Sequence, residues 1–315
     1  MRVGGRALYA AALLVLAASV PAWGGSLLEE FLILALIYGS AALLWGFLAE
    51  HAGLVSLGQQ LFVGLGAYGL VIFGRMGIPI VPAMLASAAL SSALAFALAF
   101  PLLRLRGAYF AFGTWIAAQI FQLAFENWSY VGAGEGITYR PALAIPGHDV
   151  YLGSLALLAT SSLIIYYLYR SKLGLGLRAI GADEVVAAES GVSVFRSKVY
   201  VFVLSAALTS ISGSLYALYA AYLIPTSMFN LSWVIGMIFV ALVGGAGRIM
   251  GAPIGAIAFV ALLYSTSGYA GWSLLVEGLA TIAVWFLLPR GIWGEIASRL
   301  KLEAPVRSRI RPERW

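Results

Sequence analysis

Polar and apolar positions in this chain segregate into long blocks rather than alternating residue by residue. Apolar runs long enough to cross roughly 30 Å of hydrocarbon lie near 7–23, 29–49, 53–74, 79–102, 108–126, 151–169, 199–222, 232–247, 250–270 and 273–289. These ten candidate spans predict an all-α fold: a polytopic membrane helical bundle of eight to ten spans, occupying residues 1–289. One interior stretch breaks the pattern. Residues 170–198 are polar and carry Arg170, Lys172, Arg178, Arg196 and Lys198. From Leu175 to Ser190 the spacing is helical, with Leu177, Ile180, Val185 and Ala188 on one side and Arg178, Asp183, Glu184 and Glu189 elsewhere around it. Gly191 supplies a helix stop. The pattern predicts a short amphipathic helix held between two membrane spans and shaped to press against another protein.

Charge then orients the spans. If Arg2 and Arg6 face the cytosol, strict alternation puts Arg104, Arg106, the 170–198 loop, Arg248 and the basic tail 290–315 on that side too. Seventeen of the 19 basic residues are then cytosolic, against Arg75 and Arg140 outside. That asymmetry is the one expected of a membrane protein with both termini in the cytoplasm, and it accounts for the net charge of +6 without nucleic acid. Composition agrees: 62% of residues are hydrophobic and 10% charged, with a mean hydropathy of +0.95. There is no cysteine, and His51 and His148 are the only histidines, which leaves little for thiol chemistry or a metal centre.

Several stretches within the spans carry finer signals. Residues 53–68, GLVSLGQQLFVGLGAY, combine four glycines with Ser56, Gln59 and Gln60. They read either as a close helix-packing face or as a broken helix whose loosened backbone lines a path. Gln119 and Gln122 share a helical face, expected to point into the bundle. The external loop 127–150 contains Gly132-Ala133-Gly134-Glu135-Gly136, a flexible turn that lacks the Lys-Ser/Thr of a phosphate loop. GGAGRIMGAPIGA at 244–256 is a second glycine-rich break, faintly echoing the first, as in a transporter built from two inverted halves. Glu277 lies about 6 Å into its run at about 1.5 Å per residue and is expected to reach back to the outer face. Residues 1–22 fit either a retained span or a secretory signal cut near Ser19-Val20-Pro21-Ala22.

Four stretches together resemble the LivM-type permease subunits of branched-chain amino acid ABC importers: GLVSLGQQLFVGLGAY, LRLRGAYFAFGTW with NWSYVGAGEGI, SKLGLGLRAIGADEVVAAESGVSVFRSK, and GSLYALYAAYLIPTSM through VALVGGAGRIMGAPIGA. The resemblance covers about 50–260. It implies that the 178–191 segment is a coupling helix docking onto a cytosolic ATPase, with Arg178, Asp183, Glu184, Glu189 and Gly191 as coupling residues. It also implies a homologous second permease subunit, two ATPase subunits that bind the ATP, and an external solute-binding protein. No cofactor belongs to this chain itself. Two stretches depart from the family's pattern: Ala108 stands where an acid is common after Arg-Gly, and Gly181-Ala182-Asp183-Glu184 stands where the loop often reads Arg-Glu-Asn-Glu. A zwitterionic amino acid needs polar groups within an apolar wall, for which Ser56, Gln59, Gln60, Thr114 and Gln119 are candidates. Permeases for urea and short amides share the pattern. An ion-coupled transporter would be expected to carry ionisable groups at mid-membrane, and the spans hold none apart from shallow Glu277.

Overall fold

The computed structural model describes residues 17–266, 273–287 and 291–299. These residues form thirteen α-helices and one two-stranded sheet. In order they are α1 (Ser26–Ala52), α2 (Gln60–Arg75), α3 (Ile80–Leu102), α4 (Ala108–Glu126), β1 (Ile137–Thr138), α5 (Gly147–Arg170), α6 (Lys172–Ala182), α7 (Glu184–Glu189), α8 (Val194–Ala220), β2 (Tyr222–Leu223), α9 (Pro225–Met228), α10 (Ser232–Gly244), α11 (Gly251–Thr266), α12 (Ser273–Leu287) and α13 (Gly291–Arg299). Among the described residues six segments are long and apolar enough to cross a membrane: α1, α3, α4, α5, α8 and Pro225–Gly244. α2 and α11 are apolar but shorter.

Two helices of 27 residues each, α1 and α8, run through the middle. α2 lies parallel to α8, because Gln59 Nε2 donates to Ser205 Oγ at 3.2 Å and, farther along both helices, Ser214 Oγ donates to the Gly66 carbonyl at 2.8 Å. On the other side α11 runs antiparallel to α1, Phe31 meeting Tyr264 at 5.7 Å while a Cβ on Gly39 would lie 3.3 Å from Ala256. Water supplies no drive for helix association inside lipid, so dense contact of small residues takes its place. Gly66 and Gly213 show this on facing helices. A methyl on Gly66 would overlap the Ser210 carbonyl, and one on Gly213 would overlap the Val63 carbonyl.

These contacts sort the turns into two ends. At one end, the elbow end, Glu50 and His51 of α1 meet Gly181 of α6, and Tyr169 donates to the Gly247 carbonyl. At the other, the sheet end, Arg75 donates to the Tyr130 carbonyl, and β1 pairs antiparallel with β2 through Ile137↔Leu223 and Thr138↔Tyr222. Turns that alternation assigns to one face therefore do meet in space.

The structure refines the expected elements. The 53–68 stretch combines a break with close packing: residues 53–59 are non-helical, and the glycines from 64 onward serve close packing in α2. The 244–256 break is present at 245–250. The single helix expected over Leu175–Ser190 is instead two, α6 and α7, because Asp183 takes an extended conformation and its carboxylate accepts N–H bonds from Val185 (2.8 Å) and Val186 (3.1 Å). Such a local cap competes with continuing the helix. The break also corrects the expected apolar side: Leu177 and Ile180 are buried, Ala187 takes the inner position in α7, and Val185 is 63% exposed. The Gly132–Gly136 turn is an ordered part of the sheet end, where Tyr222 donates to the Glu135 carbonyl. α5 starts at Gly147, ahead of the expected 151. The Gln119 and Gln122 face is half-exposed and not interior, and Gln122 donates to Glu126 at 2.8 Å one turn on. Residues 1–16, which hold most of the first expected span, the tail from 300, and the Glu277 side chain lie outside the described residues.

Overpacking of this kind costs about 1–3 kcal/mol. Gly66→Ala is therefore expected to lower the thermal unfolding midpoint in detergent by several degrees, whereas Gly278→Ala, with nothing within 4 Å of the added Cβ, should leave it unchanged or slightly raised. Scanning fluorimetry of the two variants checks the pair.

Candidate functional site

Two places gather polar side chains with an unusual purpose: the elbow formed by α6 and α7, and the broken start of α2.

The elbow is assembled from local caps. Ser171 Oγ accepts from Gly174 N at 3.0 Å and opens α6. Asp183 closes α6 and opens α7. α7 ends in a Schellman arrangement, with Gly191 N donating to the Ala188 carbonyl (3.0 Å) and Val192 N to Ala187 (3.1 Å). Gly191 sits at φ +83°, a conformation that costs an L-residue with a Cβ roughly 1–2 kcal/mol. Glu184 Oε2 pairs with Lys198 Nζ at 2.7 Å, tying α7 to the first turns of α8. Arg178 lies exposed and reaches back toward the carbonyls of Tyr169 and Gly174, both at 3.4 Å. Glu189 is exposed. The outer surface of the elbow is apolar despite its place among charges: Leu175, Val185 and Val186 are 65%, 63% and 57% exposed.

Its inner surface is seated firmly. A Cβ on Gly181 would stand 2.6 Å from the Glu50 carbonyl, and one on Gly247 would overlap the Glu50 carboxylate. His51 stacks on Phe47 (4.9 Å) and meets Tyr169 edge-on (5.0 Å). Glu50, His51, Tyr169 and Gly247 thus form the seat, and sequence reasoning did not single out any of them. Adjacent Glu and His at the end of a span, beside a Gly-rich turn, were the available signal.

At the second place the chain leaves α1 at Gly53 and runs back along it without helical bonds. Trp45 Nε1 donates to the Ser56 carbonyl at 2.8 Å, so Ser56 lies level with a residue two turns before the end of α1. α2 therefore begins well inside the bundle, with its N-terminus and the positive end of its dipole at depth. Ser56 and Thr114 have structural duties here. Ser56 Oγ accepts from Gly58 N (3.2 Å), while Thr114 Oγ1 accepts from Leu57 N (3.1 Å) and donates to Ala111 (2.7 Å). Gln59 spends its amide nitrogen on Ser205. Gln119 makes no hydrogen bond to this group among the described residues.

Gln60 differs from all of these. It is fully buried, and neither its amide nitrogen nor its amide oxygen has a partner. Gln59 Oε1, Thr209 Oγ1 and Ser210 Oγ are likewise buried and unpartnered. A buried polar atom without a hydrogen bond costs about 1–3 kcal/mol, so each of these atoms calls for a partner such as an ordered water or a bound polar group. The α8 hydroxyls Ser205, Thr209 and Ser210 were absent from the sequence-based candidates, since hydroxyls on an apolar helix ordinarily bond back to its own carbonyls. The donors here suit a carboxylate and the oxygens an ammonium. Among the described residues no three His, Cys, Asp or Glu side chains gather as metal ligands.

Comparison with known proteins places this arrangement. No solved structure matches the chain. The chain is 25% identical over 327 residues, 94% of itself and 77% of the relative, to the high-affinity branched-chain amino acid transport system permease protein LivM of Escherichia coli strain K12. It is 25% identical over 328 residues, with the same coverage, to the protein of that name from Salmonella typhimurium. These relatives are transport permeases, not enzymes. The family model described as branched-chain amino acid transport system / permease component matches residues 27–288, and the chain is a member of that permease family.

Proposed function

We propose that this chain is a membrane-spanning subunit of an ATP-driven importer, carrying branched-chain or related small amino acids across the plasma membrane by alternating access. The observation that carries the reading is the elbow: an apolar outer face of Leu175, Val185 and Val186 on a segment seated rigidly against α1. An exposed apolar patch rimmed by charged residues is a mark of a docking surface for another protein. The partner is a cytosolic ATPase subunit, engaged by α7 with Arg178, Asp183, Glu184, Glu189 and Gly191 shaping or flanking the contact. A homologous permease subunit, a second ATPase and an external solute-binding protein complete the assembly.

The basic asymmetry puts the elbow end in the cytosol. On that orientation the described chain makes nine crossings from Ser26 onward: α1, the 53–75 segment, α3, α4, α5, α8, the 225–244 segment, α11 and α12. An inverted relation between halves has structural support. α1 and α8 have equal length and run in opposite directions, and each is followed by a connection and then a shorter apolar helix: α2 after the non-helical 53–59 stretch, α10 after β2 and the short α9. This pairing matches the 53–59 break with 221–231, not with 244–256.

In operation, closure of the ATPases pushes the elbow as a unit. Its seat transmits the push to α1 and the 245–250 turn, and the bundle exposes the Gln60 cluster to each face in turn. The amino acid's carboxylate is received at the N-terminus of α2 by Gln60, with Gln59, Thr209 and Ser210 completing the site. Ser56 and Thr114 hold the broken backbone in place.

Two experiments on the reconstituted transporter test this. Val185→Asp with Val186→Asp, and separately Glu184→Ala or Gly191→Ala, are expected to abolish or strongly reduce uptake-coupled ATP hydrolysis while the permease inserts normally. Unchanged coupling in all of them would refute the docking role. Gln60→Leu is expected to lower uptake of leucine, isoleucine and valine by roughly 10- to 100-fold, the loss of a hydrogen bond to a charged group, with the elbow's ATPase contact intact. Uptake at the parental rate would remove Gln60 from the path.

A further inference from the structure

Two open apolar grooves follow one another along the seam between α3 and α8, and they differ in charge. The first, about 500 Å³, is walled by Phe96, Phe195, Tyr200, Val203 and Leu204 and has Arg196 at its elbow end. The second, about 660 Å³, continues toward the sheet end, where α5 joins the seam and contributes Asp149 at the mouth. Both face outward from the bundle.

The first groove is one leaflet deep. It extends along α8 from Phe195 to Ala207, roughly 18 Å at about 1.5 Å per residue, against roughly 15 Å for half the hydrocarbon thickness. A lipid acyl chain covers one half.

Among the described residues the exposed basic side chains at the rim have no acidic partner. Arg196 is exposed and makes no ion pair or hydrogen bond among the described residues. Its neighbour Lys198 is already taken by Glu184 at 2.7 Å, and the Asp183 carboxylate is occupied in capping α7. Arg104 and Arg106 follow α3 at this same end, where Phe100 meets Phe195 at 5.8 Å, and they too are exposed and unpaired among the described residues. Arg196 also sits in the first turn of α8, where the helix dipole favours an anion.

We propose that the groove between α3 and α8 is a binding site for an anionic phospholipid, its acyl chain lying against Phe96, Val203 and Leu204 and its phosphate held by Arg196, with Arg104 and Arg106 adding to the local field. Basic pockets at a membrane interface select anionic head groups in this way. The orientation proposed above serves only to name the leaflet, which is the cytoplasmic one. A lipid held there lies beside the Glu184–Lys198 tie between α7 and α8, and so anchors the elbow to the membrane surface.

Photoreactive lipids test it without ATPase or substrate, so the outcome is independent of the transport reading. The full permease is placed in phosphatidylcholine nanodiscs with trace diazirine-tailed phosphatidylglycerol or, in parallel, the phosphatidylcholine probe with the same tail. The phosphatidylglycerol probe is expected to label residues 92–100 and 195–207 about fivefold more than the neutral one, the factor one interfacial basic residue contributes. Arg196→Gln should bring the two probes to parity there, and Val203→Trp should reduce labelling by both. The Asp149 groove, labelled without preference for the anionic probe, is the internal control. Equal labelling by the two probes in the parental protein, a preference that survives Arg196→Gln, or labelling of the Asp149 groove alone would overturn the proposal.

Discussion

Hydrocarbon offers no hydrogen bonds, so a chain that leaves helical geometry inside a membrane must find protein partners for its freed backbone groups. The 53–59 stretch of this protein obeys that constraint group by group. Trp45 reaches across to the Ser56 carbonyl, Thr114 receives the Leu57 N–H, and Ser56 folds its own hydroxyl back onto Gly58. Gly58 allows α4 to come close enough for this, because any side chain there would overlap the Thr114 carbonyl. Once the break is supported, α2 starts at depth, and a helix start at depth is an electrostatic feature that a lipid-facing helix never presents.

The same constraint explains the polar economy of the core. Most buried hydroxyls bond to a carbonyl one turn back, as Ser40, Ser87 and Ser154 do. Gln60, Thr209 and Ser210 do not. Gln60 stands at the N-terminus of α2, and Ser210 lies alongside Gly66 farther up the same helix. Ser91 and Ser161 are likewise buried without a partner.

Mechanical continuity runs from the elbow to this core through few contacts. Gly181 rests on the last carbonyls of α1, Glu50 lies over Gly247, and Tyr169 donates to the Gly247 carbonyl. α6 therefore rests directly on α1, and α1 and α5 in turn hold the turn that precedes α11. Close packing without side-chain slack transmits displacements well.

Length and hydropathy alone determined that this is an all-α membrane protein, which turns gather at one end and where the polar elbow lies, because solvent partitioning acts on whole segments and leaves its mark on composition. The glycine runs at 53–68 and 244–256 likewise announced the two breaks. The tertiary structure alone decided the rest. Asp183 divides the elbow into two helices because its carboxylate finds the Val185 and Val186 N–H groups, an outcome that helical spacing does not encode. Gln59 and Gln60 are neighbours of the same type, yet one is hydrogen-bonded to Ser205 and the other has no partner. Thr114 is an internal brace, while Gln119 stays half-exposed. These distinctions arise from contacts between residues far apart in sequence, and a residue's own type and spacing carry no record of what another helix brings to it.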